Sequence, residues 1–217
     1  MNGMDTRVTD TLPARLFLLA CDAQKGRLTG GAEFGYAVRA AVLSELEERG
    51  CLRDEGGRAR PAGDRRTGDP VLDGVLREIA GYGRLRKWHW LVHRKRRDTC
   101  LALEQQLESA GMIKIGRGTF GRKRFQVADP ALTERLRADA ETALLDGGPV
   151  KAVPRPRAAL TTMAALAHLS PGLSRWVTAK NRKRLKELIQ HTGVTGIALK
   201  KALDSRKAAM SSGGGGG

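Results

Sequence analysis

The stretch "RTGDPVLDGVLREIAG", residues 66–81, decides the fold class. Its apolar residues Val71, Leu72, Val75, Leu76 and Ile79 recur at helical spacing, which sets one face of a helix for burial. Asp69 or Thr67 offers the side-chain oxygen that caps the first turn. The Gly- and Pro-rich run before it, "DEGGRARPAGDRRTGDP" (54–70), reads as a loop with room for a short hairpin.

The same period extends outward from this helix. Phe34, Val38, Val42, Leu43 and Leu46 make a helix that ends at Gly50. "LPARLFLLACDAQKGRL" (12–28) opens the domain, with Gly26 closing a helix or short strand. Leu101, Leu103, Leu107 and Met112 give another helical pattern, broken by Gly111. "MIKIGRGTFGRKRFQV" (112–127) alternates around glycines and predicts a β-hairpin. "DPALTERLRADAETALL" (129–145) carries Asp129 as N-cap and Pro130 in the first turn. After the linker "DGGPVKAVPRPR", helices are predicted over 157–169, 173–191 and 194–207. The fold class is therefore mostly α, packed helices with one β-hairpin. Residues 1–11 are expected to be a flexible N-terminus, 12–208 one helical domain, and 209–217 a Ser/Gly-rich flexible tail.

Composition narrows the function. The 217 residues carry 39 Lys or Arg against 23 acids, net +16, far beyond what solubility requires. From Val150 onward 13 bases face only Glu187 and Asp204, leaving a net +11 there. Three dispersed cysteines form no Cys-x-x-Cys, so a disulfide framework is not expected and a reducing cytoplasm fits. The longest clean apolar run, "LFLLAC" (16–21), is too short to span a bilayer, so any membrane contact is peripheral. The segment "RLRKWHWLVHRKRRD" (84–98) concentrates the charge, with seven Lys or Arg around two tryptophans. Trp88, Trp90 and Lys87 are its candidate membrane-surface contacts, because Trp favours the headgroup layer and cations favour anionic lipid.

Other motifs carry less. Gly116-x-Gly118-x-x-Gly121 precedes a returning strand rather than a helix, and the partner motifs of a kinase are missing, so it is a glycine-rich turn. His89 and His93 are spaced for one helix face, but no third ligand is evident and no metal is expected. No catalytic constellation stands out, so neither an enzyme nor a cofactor is expected. A helix followed by a basic hairpin matches the order of a winged-helix DNA binder, which is the alternative function. Against it, the helix offers Glu104, Glu108, Gln105 and Gln106, a poor face for a phosphate backbone.

Six stretches in order resemble the Golgi phosphoprotein 3 family of peripheral membrane proteins. They are "LFLLACDAQKGRL", "AVRAAVLSELEERGCL", "RTGDPVLDGVL", "LEQQLESAGMI", "DPALTERLRADAETALL" and "RAALTTMAALAHLSPGL", and they cover about residues 12–178. The Arg- and Ala-rich composition suggests a bacterial-type member. The resemblance implies a mostly α fold, a helical core wrapped by amphipathic helices with a β-hairpin, self-association through that hairpin (Arg117, Phe120, Arg122), and a basic pocket for phosphatidylinositol 4-phosphate. Pocket positions fall on Arg39 and Arg97, with Arg94 and Arg96 close by. A second late Arg position is Cys100, and the pocket Trp falls at Gly30 or Gly31. An anionic bacterial lipid therefore suits the site as well as a phosphoinositide does. The implied location is cytoplasmic, on the cytoplasmic membrane face, or on the Golgi membrane in a eukaryotic source.

Overall fold

The computed structural model describes residues 10–63, 65–118 and 121–212. Ten helices and seven short strands account for most of them. Chain order begins with α1 (Leu12–Ala20), the hairpin β1 (Cys21–Asp22) and β2 (Arg27–Leu28), then α2 (Gly31–Glu48). Strands β3 (Leu52–Glu55) and β4 (Arg58–Pro61) precede α3 (Pro70–Ala80), β5 (Arg86–Lys87), α4 (Trp88–His93) and α5 (Arg96–Ser109). Then come β6 (Ile113–Arg117), β7 (Lys123–Val127), α6 (Pro130–Leu145), α7 (Arg155–Leu166), α8 (Arg175–Lys180), α9 (Arg182–Thr192) and α10 (Val194–Ser212).

Local chemistry accounts for the ends. Asp69, not Thr67, caps α3: its Oδ1 accepts from the amides of Val71 and Leu72, both at 2.9 Å. The Thr67 hydroxyl instead donates to Asp73 Oδ1 at 2.8 Å. Asp129 caps α6 through the Leu132 amide at 2.9 Å. The run at 54–70 does contain a hairpin, β3–β4, and β5 extends it to three antiparallel strands, pairing Arg58 with Lys87.

Three expected boundaries move. Thr11 is buried, because it is the N-cap residue of α1 and its carbonyl accepts from the Arg15 amide at 3.0 Å. The helix expected over 173–191 is two helices, parted at Asn181, whose Nδ2 donates to the Val177 carbonyl at 2.9 Å. Helix α10 continues to Ser212, past the expected start of the tail.

Helix α2 is the hub. It is buried on nearly every side from Tyr36 to Leu43, as a helix must be when neighbours surround it. Helices α1, α3, α4, α5, α7 and α10 all pack against it. Phe17 ties three elements together, lying edge-on to Phe34 at 5.6 Å and Phe125 of the hairpin at 5.7 Å. Removing that enclosed ring would cost about 3–5 kcal/mol.

Candidate functional site

The basic segment is less uniform than its sequence suggests. Trp88 is a correction to the expected surface contact: it is 2% exposed, and its Nε1 donates to Asp54 Oδ1 at 2.6 Å. It locks α4 to the β3–β4 hairpin. Trp90 is half-buried, edge-on to Tyr82 at 5.2 Å, with the guanidinium groups of Arg86 and Arg94 at 4.7 and 5.3 Å from its ring centre. Lys87 is exposed. Burial, then the nearby Lys201 and Lys87, lowers the pKa of His89. Among the described residues no three His, Cys, Asp or Glu side chains gather to hold a metal ion.

Arg39 is the larger correction. Its side chain has no solvent exposure. Nε donates to the Leu91 carbonyl at 3.1 Å, Nη1 to Thr99 Oγ1 at 2.9 Å, and Nη2 to Glu78 Oε1 at 2.9 Å. This guanidinium joins α2 to α3, α4 and α5, and no phosphate can reach it. Arg97 lies exposed on α5, so the two arginines do not meet in one open pocket. Gly30 leaves no place for an aromatic ring. Its φ is +80°, and a Cβ there would sit 2.3 Å from Leu169 Cδ2 and 2.9 Å from the Ala167 carbonyl. Burial pushes the half-buried Cys100 thiol up to about 12, keeping it neutral.

What the fold does assemble is a cationic helix start. Arg94, Lys95, Arg96 and Arg97 run consecutively into α5, and no side chain caps that helix. Arg94, Lys95 and Arg97 are exposed. Arg96 lies 4.5 Å over the Tyr36 ring and donates to the His93 carbonyl at 2.9 Å. Asp98 is the only acid in the first turn. Cations at the positive end of a helix dipole repel it, and an incoming anion relieves both.

This cluster adjoins the N-terminal end of α2. Arg96 packs against Gly35, and two residues earlier Glu33 accepts from Arg206 of α10 at 2.7 Å and lies 4.0 Å from Arg175 of α8. The sequence singles out neither Arg175 nor Arg206, and it places Arg96 only close by the pocket positions; the stacking of Arg96 on Tyr36 joins residues far apart in sequence, so it leaves no local signal.

The hairpin faces elsewhere. Arg117 and Arg122 are exposed, and Phe120 lies outside the described residues. Both edges are partly engaged by the domain: the Ile115 amide donates to Glu108 Oε1 at 3.1 Å and the Phe125 amide to the Gly26 carbonyl at 2.8 Å. Lys123 pairs with Glu104. As a recognition helix α5 is poorly built. Leu103, Glu104 and Leu107 are buried, Gln106 Nε2 donates to Asp69 Oδ2 at 2.6 Å, and Leu101, Gln105 and Glu108 face out.

A family model described as Golgi phosphoprotein 3 (GPP34) matches residues 12–206, and the chain belongs to that family. The match includes the basic C-terminal helices that the motif likeness did not reach. No curated protein matches the chain.

Proposed function

We propose that this member of the Golgi phosphoprotein 3 family is a peripheral membrane protein that binds phosphate-bearing anionic lipid headgroups. The headgroup is phosphatidylinositol 4-phosphate or, in a bacterial membrane, phosphatidylglycerol. The observation that carries the reading is the uncapped start of α5, where four consecutive cations face a single acid. Each exposed cation near an anionic surface is worth about 1 kcal/mol, so Arg94, Lys95 and Arg97 supply about 3 kcal/mol, somewhat over a hundredfold in affinity. Arg94 and Arg97 add geometry, since a guanidinium grips two phosphate oxygens at once. No helix among the described residues is long and apolar enough to cross a membrane.

Sedimentation with phosphatidylglycerol vesicles tests it. Binding should exceed that to phosphatidylcholine and weaken as salt rises, because exposed charges are screened. The double variant Arg94→Gln, Arg97→Gln should lose about 2 kcal/mol, near thirtyfold. Equal binding to neutral vesicles, or a double variant indistinguishable from the parent, would sink the reading.

A further inference from the structure

The chain has three tryptophans, and two are occupied within the fold. Trp176 is not: it is 72% exposed, the most exposed large hydrophobic side chain among the described residues. We propose that Trp176 is an interfacial anchor that enters the headgroup layer of an anionic bilayer. This rests on the membrane reading above and adds to it a wedge distinct from the α5 cluster.

Three observations support the assignment. First, the ring is held outward by structure. Thr178, two positions along α8 and so on its opposite side, is buried, with its hydroxyl bonded to the Ser174 and Arg175 carbonyls, both at 3.1 Å. Arg184 pins the start of α9 through Nε to the Ala143 carbonyl at 2.7 Å and Nη1 to the Gly148 carbonyl at 2.5 Å. The α8–α9 corner is therefore fixed to the end of α6.

Second, the segment that carries the ring is one sign of charge. From Arg175 to Lys186 there is no acid, and Arg175, Lys180, Arg182, Lys183 and Lys186 are exposed. The Lys180 ammonium lies 5.4 Å from the Trp176 ring centre. A lysine beside an interfacial ring can bury its stem while its head stays with the phosphates. Third, a second exposed apolar side chain shares Lys180 with the ring. Leu145 at the end of α6 is 56% exposed, and it lines one open cleft of about 470 Å³ with Asp146, Lys183, Glu187 and Lys180, whose ammonium also faces the Trp176 ring. An exposed ring carried on a cationic segment complements a bilayer interface, where Trp is favoured beneath a layer of phosphates. Arg175, close to Glu33, makes this corner continuous with the end of α2.

The test uses the whole chain with vesicles of phosphatidylglycerol and phosphatidylcholine. Trp88 is enclosed, and Trp90 stacks against Arg94 of the α5 cluster, so the blue shift that reports Trp176 is the one that Trp176→Ala removes. Brominated acyl chains should quench that emission. Trp176→Ala should weaken binding about tenfold through lost apolar contact, leave the salt dependence as it was, and abolish the blue shift. Far-ultraviolet circular dichroism should be unchanged, since the ring supports no core contact. If the parent protein binds no anionic vesicles, the membrane reading and the anchor fall together. If the parent binds and Trp176→Ala binds equally, without quenching by bromolipid, the anchor alone is overturned. If duplex DNA produces the same blue shift and competes with vesicles, the corner is a nucleic-acid contact and the anchor is overturned.

Discussion

Arg39→Met separates a structural strut from a ligand-binding arginine. The substitution keeps an unbranched apolar stem, drops the guanidinium, and removes three hydrogen bonds, to Leu91, Thr99 and Glu78. It also strands the Glu78 carboxylate, which is 12% exposed and whose other bonded partner is the Tyr82 hydroxyl. Breaking a buried pair in this way costs about 3–5 kcal/mol, because one charge stays desolvated without its partner. Domains have about 5–15 kcal/mol in total, so the variant should fold in the cold and fail on mild warming. Urea unfolding followed by circular dichroism reads the loss directly. With a slope near 2.5 kcal/mol per molar, the midpoint should drop by about 1.2–2 M. The double variant Arg39→Met, Glu78→Leu should recover much of that, since no unpaired charge remains. While folded, Arg39→Met should bind anionic vesicles like the parent. Unchanged stability together with lost vesicle binding would refute the argument and return Arg39 to the ligand site.

Two further outcomes are expected. Asp69→Ala removes the cap of α3 and the partner of Gln106, and should lower stability by about 1–2 kcal/mol in thermal unfolding. Burial is the main cause holding the His168 and His89 pKa values below the ordinary imidazole range, so the unfolded chain takes up these protons first as pH falls. Stability should be fully present above about pH 6.5 and decline as pH drops through the lowered folded values, and His168→Gln should flatten that slope in urea titrations at successive pH values.

Much of the fold was legible in the sequence because its signals are local. An Asp-Pro start with a 3.6-residue apolar period located α3 and α6, and alternation around glycines located β6 and β7. The site was legible only where exposure follows from charge density, as at Arg94 and Arg97. Arg39 misled because its partner Glu78 lies 39 positions away, and a lone Arg on an apolar helix face looks the same whether it meets a carboxylate or a phosphate. The tryptophans misled in a related way. In a helix of six residues, periodicity cannot say which side turns inward, so the sequence alone does not tell the buried Trp88 from the exposed Trp176. The break at Asn181 depends on a side chain bonding back to its own turn, which helical spacing does not encode.

The packing of α10 on α2 also sets an order of events during synthesis. The Glu33–Arg206 pair closes a loop of 173 positions. At about 5–20 residues per second, a ribosome needs roughly 9–35 s to deliver the second partner after the first. Through that interval the side of α2 that α10 will cover stays bare. The late arrival of α10 makes this a window for chaperone capture or for mispairing with a neighbouring chain on the same message.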